Sequence, residues 1–378
     1  MKLRSVILHI SALVVISSCS VSRFVPEDKY LLKSADVELI SEEKRNDLGS
    51  VEGELSEIMK PQPNSKLLGM RLGLLYHYKA QREKPGFLIK YLNKKFGEEP
   101  VYLSDFDSLR AIDLMDNRLE NNGFFHPKIS SGVKLKKHFA SLDFKINLDQ
   151  PYELEKYELD SANSNIHTDI RASLEDTYFT KGTRFNLELM KDERGRIDTY
   201  LKSKGYYNFH EDFLIFEADT NQYDDRKFDL FLRLKKDVPK KSLLPYTLEE
   251  INVFPDYSLN NEGIENDTVN IKGINFIQNP VFFKPERMEP YILFKKGQTY
   301  NPDTSRLTSS RLSSIGAYRF VNIRYENLSP NDSTSDTLRL RANIFLSPLK
   351  KRSIRAEVQA ITKSNGFAGP ALAVVHSN

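Results

Sequence analysis

The sequence predicts an α+β chain of serial β-α-α-β-β modules, followed by strands of a different kind. Three observations predict it. Apolar residues on helical spacing end three times on a glycine with an aromatic residue close behind. A run of alternating apolar and polar residues follows each glycine, the mark of a sheet with one face buried. Charge is balanced, 55 Lys and Arg against 52 Asp and Glu in 378 residues, formally +3. That suits domains in water and argues against nucleic acid, whose binders concentrate a basic excess.

The amino terminus reads as a targeting segment. Lys2 and Arg4 precede an apolar run from Val6 to Ile16, broken only by His9 and Ser11. The run is too short for a bilayer core of about 30 Å and fits the apolar region of a signal peptide. Ile16-Ser17-Ser18-Cys19 follows, and Cys19 is the chain's one cysteine. A lone cysteine closes no disulfide within the chain. Small residues before it resemble a bacterial lipobox, so Cys19 is expected to be acylated, with residues 1–18 removed and 19–27 as a tether. Several acyl chains anchor stably, at about 0.8 kcal/mol per buried CH₂. Ser20, in place of an aspartate, leans towards the outer membrane.

Each module is then read from its helix. Leu109, Ile112, Leu114, Met115 and Leu119 lead to Gly123-Phe124; Met190, Ile197, Tyr200 and Leu201 lead to Gly205-Tyr206; Leu307, Leu312 and Ile315 lead to Gly316-Ala317-Tyr318. A glycine just past a helix takes the left-handed position without Cβ strain, so Gly123, Gly205 and Gly316, with Phe124, Tyr206 and Tyr318, are expected to be structural. The helix entry also recurs, as Lys181-Gly182-Thr183-Arg184-Phe185-Asn186 and Lys296-Gly297-Gln298-Thr299-Tyr300-Asn301. Asn186 and Asn301 suit N-caps. The interval to the glycine is 19 residues in one and 15 in the other, a difference of about one helical turn. Strands open the second and third modules near 152–159 and 247–253, and short helices follow near 166–177 and 283–293. The predicted domains are 28–149, 150–240 and 241–349.

Pro61 to Pro100 has no counterpart in the later modules. Its apolar residues are interleaved with Lys66, Arg71, Lys79, Arg82, Lys90, Lys94 and Lys95. It reads as an amphipathic helical pair packed on the first domain; the sharper alternative is a basic face towards anionic lipid heads or an acidic partner. Residues 350–378 differ again. Ile354, Ala356, Val358 and Ala360 alternate with Arg355, Glu357 and Gln359, which suits a first transmembrane barrel strand, apolar to lipid and polar to the lumen.

This order of parts resembles polypeptide-transport-associated (POTRA) domains, and the whole is similar to the BamA/TamA outer-membrane assembly family, nearest its lipoprotein branch, TamL. Arg23-Phe24-Val25-Pro26, Lys29-Tyr30-Leu31-Leu32, Pro63-Asn64-Ser65-Lys66-Leu67-Leu68-Gly69 and the Lys-Gly strings carry the impression. Members of the family continue into a full barrel, so the sequence reads as a part in which the barrel is cut short. The resemblance implies a periplasmic arm anchored at the outer membrane. That arm takes unfolded outer-membrane proteins by β-augmentation and docks a TamB-like periplasmic partner beside outer-membrane lipid. The strands near 209–216 and 320–326 are expected at sheet edges, with Phe213, Ile215, Val321, Ile323 and Tyr325 as client-binding positions. The other reading is a structural envelope lipoprotein that binds a partner without assembly activity.

No catalytic constellation is legible. There is no P-loop string, no GxGxxG and no HExxH, and the seven histidines lack ligand spacing. The expectation is a non-enzyme with no metal and no cofactor.

Overall fold

The computed structural model describes residues 21–41, 48–67, 69–223, 225–258, 267–278, 283–329 and 335–349, and the backbone alone of 353–362 and 368–377. Cys19 lies outside the described residues. The chain divides into two compact units, one of residues 1–158, 179–191 and 217–231, the other of 159–178, 192–216 and 232–378.

In the first unit, β1 (Leu31–Ser41) is followed by α1 (Leu48–Ile58), α2 (Leu72–Ala80), α3 (Phe87–Phe96), α4 (Ser108–Asn121), β2 (Lys128–Lys136) and β3 (Phe139–Leu148). The sheet order is β1-β3-β2, with β1 parallel and β2 antiparallel to β3. The central strand alternates as the sequence does: Ala140, Leu142, Phe144, Ile146 and Leu148 are buried. Leu142, Phe144, Ile146 and Leu148 pack with Val51 and Leu55 of α1 and Ala111, Met115 and Leu119 of α4. Burying a leucine or phenylalanine contributes about 1.5–3 kcal/mol, so this contiguous set holds the helices on one face. Asp107 caps α4, accepting the Arg110 amide at 3.0 Å.

The next elements are β4 (Glu153–Leu159), α5 (Asn165–Ser173), α6 (Leu187–Ser203), β5 (Leu214–Asp219) and β6 (Lys227–Leu234). Their sheet runs β4-β6-β5. Within the second unit, fully buried Glu193 on α6 accepts from Arg196 Nε and Nη2 at 2.9 and 2.8 Å, Thr177 Oγ1 at 2.7 Å and the Tyr178 amide at 3.2 Å. A buried carboxylate is tolerable only when paired and hydrogen-bonded in this way.

The second unit continues with β7 (Tyr246–Phe254), β8 (Asp267–Ile271), β9 (Ile274–Gln278), α7 (Pro285–Met288), α8 (Pro302–Ser314), β10 (Tyr318–Asn327) and β11 (Leu338–Pro348). Here the sequence reading needs correcting: the sheet has five strands, ordered β10-β11-β7-β9-β8. The extra hairpin turns at Lys272 and Gly273, whose φ values are 50° and 85°. Two successive positive φ values make the turn that matches the twist of a hairpin. The core gathers Leu248, Ile251 and Val253 of β7, Leu340, Ala342 and Ile344 of β11, Phe276 of β9 and Leu312 of α8. Finally, β12 (Ser353–Thr362) and β13 (Ala368–Ser377) pair antiparallel as a two-stranded sheet. The chain is thus a mixed α+β protein in which the order β-α-α-β-β recurs with insertions.

Candidate functional site: repeat junctions and free sheet edges

The glycine-aromatic strings build junctions as well as helix ends. After α4, the Gly123 amide donates to Glu120 O at 2.9 Å and the Phe124 amide to Leu119 O at 2.9 Å. After α6, Gly205 donates to Lys202 O and Tyr206 to Leu201 O, both at 3.1 Å. This is the Schellman pattern, which satisfies the last carbonyls of a helix. Phe124 and Tyr206 are consequently buried, and the Tyr206 hydroxyl donates to Asp169 Oδ2 at 2.6 Å.

The glycine carbonyl and the second aromatic residue then engage the next strand-helix set. Within the first unit, the Tyr152 amide donates to Gly123 O at 3.0 Å, and the Phe185 amide to Tyr152 O at 2.8 Å. Phe125 packs edge-on against Tyr152 and Phe185, centroids 5.1 Å apart in both pairs. Within the second unit, the Tyr300 amide donates to Tyr246 O at 2.8 Å. Tyr207 meets Tyr246, Tyr300 and Tyr325 at 5.7, 5.0 and 5.4 Å. Burial pushes the Tyr300 phenol up to about 12, with the neighbouring Tyr207 and Asp198 adding to it. Asn186 and Asn301 cap their helices, accepting the Leu189 and Asp303 amides at 3.0 and 2.8 Å.

Gly316 differs. Its φ is 71°, but Ala317 follows, and Tyr318 opens β10 with its hydroxyl 3.5 Å from Met288 Sδ. The Leu349 amide donates to Ala317 O at 2.9 Å.

One address recurs at every opening strand. The amides of Leu32, Leu154 and Leu248 donate to the carbonyls of Val101, Thr183 and Gln298, each at 2.8 Å. The carbonyls of Leu154 and Leu248 accept from the loop amides of Gly182 and Gly297 at 2.7 and 2.6 Å. At Leu32 the donor is a side chain instead: Arg71 of the helical insertion donates Nη1 to Leu32 O at 2.9 Å and Nη2 to Lys33 O at 2.8 Å. Glu98 stands behind it. Burial works against its ionisation, but bonds from the Ser65 hydroxyl and amide and from Asn64, with the charge of Arg71, hold it below its ordinary 4.5.

Sheet edges are the remaining feature. Among the described residues, β2 has a strand neighbour only in β3, and β10 only in β11. The Leu328 amide donates to Arg339 O at 2.9 Å, and the β10–β11 register continues from that pair. Antiparallel residues alternate between bonded and outward-turned positions. The backbone groups of Val321, Ile323 and Tyr325 therefore face away from β11, while their side chains pack on the core. Ile215 lies on β5 and is 42% exposed. Phe213 is not in a strand; it ends a 3-10 turn, and its carbonyl accepts the Lys235 amide at 2.9 Å. Sequence reasoning missed β2 as an edge, though Lys128, Lys134 and Lys136 along it are the charges that blunt exposed strands.

Among the described residues no cluster of His, Cys, Asp and Glu could hold a metal ion. His167 Nδ1 lies 2.7 Å from the Ser164 hydroxyl and its Nε2 3.2 Å from Asp160 Oδ1, but Ser164 is the N-cap of α5, so the trio closes a helix start.

No family model and no curated protein matches the chain. Solved structures similar to it include POTRA3–5 of BamA from Haemophilus influenzae, at 14% identity and a TM-score of 0.34 over 85% of this chain and 99% of that one. POTRA1–3 of the periplasmic domain of Omp85 from Anabaena is 14% identical with a TM-score of 0.24, covering 86% of this chain and 98% of that one. The N-terminal domain of Omp85 from Thermosynechococcus elongatus is 13% identical with a TM-score of 0.25, covering 85% and 99%.

Proposed function

We propose that the chain is the periplasmic arm of an outer-membrane assembly factor, made of three POTRA-like domains over 28–149, 150–240 and 241–349. It holds unfolded client strands by β-augmentation and passes them to a barrel that begins at residue 350. Cys19 anchors the arm by acylation, and a TamB-like periplasmic partner docks on it. The observation that carries the reading is the rim of β10, where Val321, Ile323 and Tyr325 turn backbone donors and acceptors outward. Backbone pairing accepts many sequences, because affinity comes from main-chain hydrogen bonds. β11, the strand that pairs with β10, is followed in the chain by β12.

The experiment is photo-crosslinking of an unfolded outer-membrane protein to the full chain, with Ile323→Pro and Arg324→Ala compared. Proline is tolerated on an edge where its N–H would face solvent. Loss of crosslinks in Ile323→Pro, with Arg324→Ala unaffected, supports the reading. Undiminished crosslinks in Ile323→Pro sink it.

A further inference from the structure

The helical insertion presents a surface that neither the sheets nor the junctions use. α3 buries none of its residues. Phe87, Leu88 and Tyr91 are 85%, 65% and 52% exposed, and at 3.6 residues per turn they fall within about 100° of arc. Lys90, Lys94 and Lys95 stand on and beside that arc, and among the described residues none of the three has a carboxylate partner. From Lys66 to Phe96 there are eight Lys and Arg against one acid, Glu83, in a chain whose total is only +3. The seam between α2 and α3 is open, a cleft of about 610 Å³ lined by Leu67, Leu72, Tyr76, Leu92 and Phe96.

By contrast, α2 is already covered by an upstream segment. Val21 and Val25 are buried against Leu74 and Leu75 of α2, and Phe24 stacks on Tyr78 at 5.7 Å. Arg23 and Arg82 both lie over the Phe24 ring, at 4.9 and 5.7 Å. The segment from Val21 to Val25 is thus fixed to α2 and the turn after it, which leaves the exposed arc of α3 uncovered among the described residues.

We propose that α3 lies in the headgroup region of an anionic bilayer, with Phe87, Leu88 and Tyr91 inserted and the lysines on phosphate. Aromatic and aliphatic side chains on one arc with lysines around them are the pattern of an interfacial helix. A second copy of the chain would bring a like-charged face and is disfavoured by repulsion.

The test uses the full chain carrying Cys19→Ala, so that no acyl group contributes, with vesicles of phosphatidylcholine alone or mixed with phosphatidylglycerol. The chain is expected to sediment with the anionic vesicles. Each lysine near such a surface is worth about a fivefold change in binding, so Lys90→Glu, Lys94→Glu and Lys95→Glu together should weaken it about a hundredfold or more. Phe87→Ser with Leu88→Ser should weaken it about tenfold or more. The chain has no tryptophan, so Phe87→Trp supplies a single indole whose emission should shift to the blue on anionic vesicles and be quenched by brominated lipid. No sedimentation with anionic vesicles, or an unshifted indole, overturns the proposal. Lysine-dependent binding of polyglutamate with vesicle binding indifferent to Phe87→Ser overturns it too, and assigns the face to an acidic protein. The β10 crosslinks report separately on client binding, so either reading can fail alone.

Discussion

The carbonyl of Gly205 accepts the amide of Tyr246 at 2.9 Å. One residue ends a helix and the other opens a strand forty-one positions later. Gly123 and Tyr152 repeat the relation in the first unit. A glycine that sequence alone reads as a helix stop therefore also serves as the point where one repeat hands over to the next.

Gly205 has φ 105°, and a Cβ there would lie 2.5 Å from Thr299 Cγ2 and 3.2 Å from Pro245 Cβ. Gly316 has φ 71° with open space around it. Gly205→Ala should cost about 3 kcal/mol or more, adding collision to backbone strain. Gly316→Ala should cost only the left-handed penalty of about 1–2 kcal/mol. Urea unfolding of the two variants measures the difference; equal losses would contradict the crowding at the junction.

Tyr207 and Tyr300 meet edge-on at 5.0 Å. A double-mutant cycle with Tyr207→Leu and Tyr300→Leu should give a coupling of about 0.5–1.5 kcal/mol. Additive losses would mean that the rings only fill space.

The same cluster predicts alkaline weakening. Tyr300 titrates near 10.0 when unfolded and near 12 when folded; Tyr246, Tyr318 and Tyr325 are also raised, each first by burial. A phenol that loses its proton more easily when unfolded favours unfolding as pH rises. Stability should be intact below about pH 10 and fall from there towards 12. Thermal melts across that window check it, with Tyr300→Phe flattening the slope.

Arg71 and Glu98 tie the helical insertion down, and the Glu98 tie is sensitive to acid. Glu98 is held below 4.5, so its contribution is complete above that value and lost as pH falls through the lower, folded one. Hydrogen exchange of residues 61–100 should quicken on acidification before that of β11. Arg71→Met strands the carbonyls of Leu32 and Lys33 and should cost about 2–3 kcal/mol at any pH. An insertion equally protected at both ends of the titration would refute the role of Glu98.

Much of this was legible because local chemistry and tertiary structure agree. Asn186 and Asn301 are N-caps because their side chains satisfy free helix amides, and β3 and β11 show their alternation because one face meets helices. The β8–β9 hairpin was missed although Lys272-Gly273 between Val269-Asn270-Ile271 and Ile274-Asn275-Phe276 carries the signal. Five-residue strands are short for periodicity to reveal. Phe213 misled for a different reason: its aromatic neighbours read as strand, but Phe209 is buried against it and the chain turns before β5 begins. The role of Phe125 and Tyr207 was out of reach, since their partners lie far along the chain.

The carbonyls of Leu32, Leu154 and Leu248 ask for a donor, not for a particular residue; a glycine amide serves twice and an arginine once. A scaffold specified by hydrogen-bonding addresses can absorb two extra helices at one of them and keep its frame.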